Sequence, residues 1–264
     1  MNPALWVSKT GLSAQDTNMS TISNNLANVN TTGFKRDKAV FQDLLYQINR
    51  QPGGLTNQNS ELPSGLQLGT GVRVVGTVKQ FSQGNLQITE QPLDMAINGR
   101  GFLQILQPDG QIAYTRDGQF QLNSNGDVVN PDGYPLEPAI NIPDNATNIT
   151  IGKDGTVTAV TDDQAAPVNL GQITLVDFIN PQGLQAIGNN LFKETIASGN
   201  PVEGEAGLLG LGTIEQGSVE ASNVEVVEEL VNMITTQRAY EMNSKVVSTT
   251  DQMLQFITNN IGRS

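Results

Sequence analysis

Leu5, Leu12, Met19 and Leu26 recur every seven residues near the start of the chain, and Ser8, Gln15, Ile22 and Val29 follow each of them by three. That spacing predicts a helix with an a/d heptad seam whose first two d positions are polar. Asn2-Pro3 supplies an N-cap followed by proline at the first helical position, and Thr32-Gly33 supplies a glycine stop, so the helix is bracketed over residues 4–32. Farther on, Val226, Met233, Tyr240, Val247, Leu254 and Ile261 keep the same interval without a break. Ser222 with Glu225 three residues later forms a capping box in front of this run, which predicts a second long helix from Ser222 to Ile261. The positions four residues after each heptad residue are mostly polar (Leu230, Gln237, Ser244, Asp251, Thr258), so the two helices alone would make a weak coiled coil.

The first helix is also short of charge. A solvent-facing helix normally carries charged side chains on its outer face, yet only Lys9 and Asp16 are charged between residues 4 and 32. More than one face of this helix is therefore expected to meet protein, within the subunit and between subunits.

Between the helices the apolar period drops to two. Asn98-Gly99, Asp109-Gly110, Asp117-Gly118, Asn125-Gly126, Asp132-Gly133 and Asp154-Gly155 are turn dipeptides separated by short apolar runs such as residues 102–106 and 128–129. They predict a compact antiparallel β domain, with a further strand over residues 173–179 and a glycine-rich loop over 199–212. Residues 47–71, which include Pro52, Gly53, Gly54, Pro63 and Gly65, show no periodicity and read as an extended connector. The fold class is α+β: long terminal helices pairing as a coiled coil around a central antiparallel β domain. Four regions follow: an N-terminal coiled-coil helix (1–33), an extended connector (34–90), the β domain (91–219) and a C-terminal coiled-coil helix (220–264).

Composition narrows the function classes. The 264 residues carry 14 Lys+Arg against 26 Asp+Glu, a formal net charge of -12, and residues 80–230 alone hold 20 acidic and 4 basic side chains. So acidic a chain is a poor partner for a nucleic-acid backbone. The absence of histidine and cysteine removes Ser-His-Asp and Cys-His nucleophiles, histidine and thiolate metal sites, and disulfides. No stretch approaches the roughly 18 apolar residues of a membrane span, so no membrane insertion is expected. Residues 4–7 are too short an apolar run, without a basic flank, for a cleaved secretion signal.

The remaining chemical candidates are weak. Residues 207–212 are glycine-rich but lack the Gly-x-Gly-x-x-Gly order of a dinucleotide loop. Residues 123–133 mix Asn, Asp and Gly without the terminal Glu of a calcium loop, and hairpin turns account for them. Asp162-Asp163 and Glu228-Glu229 are sequence neighbours whose side chains point apart, which does not suit a hydrolytic carboxylate pair. Ser244-Lys245 lacks the Ser-x-x-Lys spacing of a Ser-Lys nucleophile. The Lys35-Arg36-Asp37-Lys38 cluster follows a helix C-terminus, where the dipole favours cations. No catalytic, cofactor-binding or metal-binding residue is expected, and no cofactor.

Asn24-Asn25-Leu26-Ala27-Asn28-Val29-Asn30-Thr31-Thr32-Gly33-Phe34-Lys35 resembles the N-terminal signature of the bacterial flagellar rod and hook axial proteins. Glu220-Ala221-Ser222-Asn223-Val224 through Ala239-Tyr240-Glu241 is similar to their C-terminal signature. Ser82-Gln83-Gly84-Asn85-Leu86, Pro92-Leu93-Asp94-Met95-Ala96-Ile97, Gly99-Arg100-Gly101-Phe102 and Tyr114-Thr115-Arg116-Asp117-Gly118 look like the family's β-domain motifs. The connector run from Leu62-Pro63-Ser64-Gly65-Leu66 to Gly71 resembles the segment distinctive of the family's distal-rod members.

The resemblance implies a non-enzymatic structural subunit, exported unfolded through the flagellar type III apparatus. Such subunits polymerise helically into a stiff hollow shaft that spans the periplasm, turns inside the P and L rings and passes torque to the hook. Its implied partners are further copies of itself, proximal rod and hook-side axial proteins, the ring proteins and the export apparatus. Leu5, Leu12, Met19, Ile22, Leu26, Val29, Val226, Met233, Tyr240, Val247, Leu254 and Ile261 are the expected subunit-packing residues. Leu62, Pro63, Ser64, Gly65 and Leu66 are implied to stiffen the rod. A proximal rod protein is the nearest alternative, followed by a β-rich binding module and a glycan hydrolase.

Overall fold

A computed structural model describes residues 3–51, 55–57, 60–61, 64–162 and 164–261. It is α+β, with two long helices and a β-rich middle, and it divides into two compact units. The first unit joins the segment ending at Leu26, Asp37–Val78 and the segment from Glu225 onward; the second joins Ala27–Arg36 and Lys79–Val224.

In the first unit, α1 runs over Pro3–Ala27 and α2 over Val226–Ile261, 25 and 36 residues long. Helix α1 stops five residues before the expected Thr32. The Thr31 amide turns back to the Asn28 carbonyl at 3.2 Å and the Thr31 hydroxyl donates to Asn28 Oδ1 at 3.1 Å. The backbone thus closes a tighter three-residue turn in place of the four-residue helical ladder, and the side-chain pair braces it. Val29 therefore lies beyond α1. At the other helix, the Ser222 hydroxyl accepts the Val224 amide at 3.3 Å, and α2 opens four residues later than its capping box suggests.

The expected connector is instead largely a paired ribbon. Strands β1 (Asp37–Asp43), β2 (Tyr46–Arg50), β3 (Leu55–Asn57), β4 (Ser60–Glu61), β5 (Leu66–Gly69) and β6 (Val72–Lys79) pair as β1 with β6, β2 with β5 and β3 with β4. Tyr46 faces Gly69, Arg50 faces Leu66 and Asn57 faces Ser60, so the three strand pairs nest one inside the next along the chain. Bulges in this ladder interrupt the alternation that a period-two search needs. At the base of the ribbon, the Val72 amide donates to Thr10 Oγ1 of α1 at 3.3 Å.

The second unit holds β7 (Leu86–Ile88), β8 (Met95–Asn98), β9 (Leu103–Leu106), β10 (Ile112–Thr115), β11 (Gln121–Leu122), β12 (Val128–Val129), β13 (Leu136–Glu137), β14 (Ala146–Ile151), β15 (Thr156–Thr161), β16 (Gln164–Gln172), β17 (Thr174–Asp177), β18 (Gln185–Gly188), β19 (Leu191–Lys193), β20 (Val202–Glu205), β21 (Thr213–Gln216) and β22 (Ser218–Glu220). A five-stranded sheet runs β13-β9-β10-β19-β18, and β14-β15-β16 form a three-stranded meander. The turns at Gly110, Gly126, Gly133 and Gly155 share one design, in which the glycine amide closes on the carbonyl three residues back and its φ of 78–87° suits only a residue without Cβ. Part of the expected glycine-rich loop is a strand, since β20 pairs with β17.

Both apolar clusters sit in this second unit. One gathers residues including Met95, Leu103, Ile105, Leu136, Ile173, Leu175 and Ile214; the other is aromatic, with Phe81, Phe102, Tyr114, Phe178 and Phe192 in edge-to-face contacts at 4.8–6.1 Å. Burial in that cluster pushes the Tyr114 phenol up to about 12, and the carboxylates of Glu194 and Glu203 add to the shift. A phenol that ionises later in the folded than in the unfolded chain withdraws stability as pH rises from about 10 towards 12. Spectrophotometric titration is expected to show a tyrosine step near pH 12, and Tyr114→Phe to remove it.

Candidate functional site

The first unit has no apolar core of its own among the described residues, and this sets its chemistry. The two helices touch through polar side chains: Asn18 Nδ2 donates to Thr236 Oγ1 at 3.0 Å, and Asn25 Nδ2 lies 3.5 Å from Glu229 Oε1. Of the expected packing residues, Ile22 is buried, while Leu5, Leu12, Met19, Leu26, Val29, Met233 and Val247 are half-buried. Val226, Tyr240 and Leu254 are exposed, and the side chain of Ile261 lies outside the described residues. More apolar surface stands beside them. Val227, Ile234, Met242, Met253 and Phe256 on α2 are 50–70% exposed, as is Trp6 on α1, the chain's one tryptophan.

The ribbon carries apolar side chains on both faces. Leu68 is paired with Gln47, between Tyr46 and Ile48, and alternate residues of a strand point to opposite sides. Tyr46 and Ile48 therefore occupy one face and Leu66 and Leu68 the other, all four exposed. Of the expected stiffening residues, Leu62 and Pro63 lie outside the described residues; Ser64 is exposed, Gly65 half-buried, and Leu66 opens β5.

Where the chain enters and leaves the second unit, a carboxylate gathers the ends. Glu220 on β22 is buried, and its Oε1 accepts Lys35 Nζ at 2.6 Å and the Gly84 amide at 2.8 Å, while Oε2 accepts Arg116 Nη1 at 3.2 Å. Its backbone carbonyl accepts the Gly33 amide at 2.8 Å. Lys35 also donates to the Ser82 carbonyl and Arg116 to that of Gly99, each at 2.8 Å. Burial lowers the Lys35 and Arg116 values from their ordinary ones, and the carboxylate opposes both shifts. Gly33 is left-handed at φ 67° and lies so close that a Cβ would sit 2.6 Å from the Asp117 amide. Asn190 reaches the same loop, donating to the Thr32 carbonyl at 3.0 Å.

Two asparagines do comparable work on the backbone. Asn25 pairs with Asp37 as a strand residue would, accepting its amide at 2.9 Å and donating to its carbonyl at 2.8 Å. Asn223 accepts the Arg36 amide at 2.7 Å and donates to the Gln80 carbonyl at 2.7 Å. Sequence reasoning passed over Asn25, Arg116, Glu220 and Asn223 as individuals; their one signal is membership of the resembled motifs. Lys35, expected beside its charged neighbours just past a helix C-terminus, is buried and paired with Glu220.

Removing one partner from a buried charge cluster leaves the others uncompensated, at about 3–5 kcal/mol. Glu220→Ala is expected to lower the stability of the folded chain by that amount in urea titration, and Lys35→Met with Glu220→Leu together to cost less than the sum of the two single changes.

Among the described residues no cluster of three or more Asp and Glu could hold a metal, and no helix is long and apolar enough to cross a membrane. Three family models match: the flagella basal body rod protein model over residues 5–35, the flagellar hook protein FlgE/F/G D1 domain over 96–159 and the flagellar basal body rod FlgEFG protein C-terminal model over 215–261. The flagellar basal-body rod protein FlgG of Buchnera aphidicola subsp. Schizaphis graminum is 58% identical, covering 97% of this chain and 98% of its own. Those of Borreliella burgdorferi and Bacillus subtilis are 47% identical over 100% of both chains and 35% identical over 97% and 98%. With its terminal signatures, its β-unit motifs and relatives matching along its whole length, the chain belongs to the flagellar basal-body rod protein family and is a structural component of the rod in the flagellar basal body.

Proposed function

We propose that the chain is the repeating subunit of the distal rod, polymerising helically into a stiff hollow shaft that carries torque towards the hook. One observation carries this: the second unit encloses both apolar clusters, whereas α1, α2 and the ribbon leave bulky apolar side chains in solvent. An amphipathic helix draws its stability from packing of its apolar face, and an isolated two-stranded hairpin is marginal in water. Cover from other copies supplies what the single chain lacks.

In this assembly α1 and α2 pair as a coiled coil, and Leu5, Leu12, Met19, Ile22 and Leu26 with Val226, Met233, Tyr240, Val247, Leu254 and Ile261 pack within and between subunits. Val29 packs just past the helix. The ribbon fits between two neighbours, because its apolar side chains occupy both faces. The segment around Leu62, Pro63, Ser64, Gly65 and Leu66 then stiffens the rod by filling that gap. Four regions acting separately, 1–33, 34–90, 91–219 and 220–264, suit this division of labour, with 34–90 as the adaptor. The proximal rod and hook-side axial proteins continue the shaft at its ends, and the P and L rings surround it across the periplasm. The chain reaches this place unfolded, through the flagellar type III apparatus, and catalyses no reaction. A proximal rod position is the second reading, favoured by the general rod signature at residues 5–35.

Leu26→Asp places a charge at the helix surface to be covered and is expected to abolish swimming and rod assembly, while circular dichroism and urea titration of the purified chain still report a folded β unit. Normal motility of that strain would remove the packing role. Trp6 gives a second readout: its fluorescence is expected to shift to the blue when subunits polymerise.

A further inference from the structure

The helix contacts of the first unit obey a common interval. Gly11 lies against Asn243, with a Cβ added at Gly11 falling 3.2 Å from its Nδ2; Asn18 bonds Thr236; Asn25 meets Glu229. Each rung advances seven residues along α1 and retreats seven along α2, so the helices run antiparallel on a ladder of small and polar residues. Asn25, Glu229 and Thr236 are buried, as is Thr250, the next position of the series on α2.

An apolar heptad ladder tolerates a slide by one heptad, since one leucine takes the place of another. This ladder does not. A slide in one direction sets Thr236 opposite Gly11, which offers no side chain to bond. The opposite slide sets Asn18 against Asn243, crowding a rung where a Cβ on α1 would already lie 3.2 Å from the Asn243 side-chain amide, and it takes Asn25 away from Glu229. Polar residues at coiled-coil a positions specify register at some expense of stability.

We propose that the Gly11–Asn243, Asn18–Thr236 and Asn25–Glu229 rungs form a register key, which fixes where α1 lies along α2 within one subunit and leaves the apolar side chains of α2 to other copies of the chain. This rests on the rod-subunit reading. One heptad of slip is an axial error of about 10 Å, at 1.5 Å per residue. In a shaft of repeated subunits, such an error would misplace every apolar side chain that α2 offers its neighbours.

The chain has no cysteine, so introduced pairs report register without background. Gly11→Cys with Asn243→Cys reads the keyed register, and Gly11→Cys with Thr250→Cys reads a slip of one heptad. Oxidised in rods isolated from cells, the first pair is expected to close within one chain at least tenfold more than the second. Adding Asn18→Leu and Thr236→Leu is expected to cut that ratio at least fivefold, whereas Thr236→Ser, which keeps the hydroxyl, preserves it. An unchanged ratio with the leucine rung, or a 11–243 bridge joining two chains, overturns the key. Rod formation is scored separately by electron microscopy: normal rods with an unchanged ratio sink the key alone. Failure of the cysteine-free chain to enter rods sinks the rod reading, and the same ratios measured on the free chain then decide the key.

Discussion

Apolar side chains leave water where they can, and in this protein they do so unevenly. The second unit closes two clusters around Leu103, Ile105 and Leu175 and around Phe102 and Tyr114. Helix α2, at 36 residues, keeps Val227, Ile234, Met242 and Phe256 in solvent, and the ribbon exposes Tyr46, Ile48, Leu66 and Leu68. A single chain therefore contains one unit that encloses apolar clusters of its own and another that encloses none among the described residues. The proposed burial in a polymer rests on that imbalance, and the proposed mechanical role rests on the polymer.

Polar side chains settle geometry where apolar ones are withheld. Glu220 draws Lys35, Gly84 and Arg116 to one buried point, so residues 185 positions apart in the chain are held together. Asn25 and Asn223 replace backbone partners at the places where the chain turns from helix to ribbon and from ribbon to β unit. Buried polar groups are costly unless they are satisfied, and those that are satisfied specify a single arrangement. The signatures shared with rod proteins thus mark the bends of the chain: Asn25, Gly33 and Lys35 in the first, Gly84 in the second, Glu220 and Asn223 in the last.

The helices and the β unit were legible because their signals are local. Seven-residue spacing and Asn-Gly or Asp-Gly turns lie within a window of a few residues. The end of α1 falls short of the expected Thr32 because the Thr31-to-Asn28 turn that closes it leaves no trace in the apolar period. The ribbon was missed as a pairing element because its strands are short, bulged and exposed on both faces, which erases alternation. The buried cluster was out of reach for another reason: Lys35, Arg116 and Glu220 each read as surface charges, and only the fold brings them together. The expected packing residues rest on their period alone, and period does not separate half-buried Leu12 and Met233 from exposed Val226 and Leu254.

Hydrogen exchange on freshly purified subunit, set beside the same chain in isolated basal bodies, tests the deferred burial most directly. Amides that open locally exchange fast, and those locked in a packed core exchange only on global unfolding. Fast exchange over α1, α2 and the ribbon in the free subunit, a protected β unit, and protection of all of them in the assembled rod is the predicted result. Strong protection of both helices in the free, monomeric subunit would contradict it.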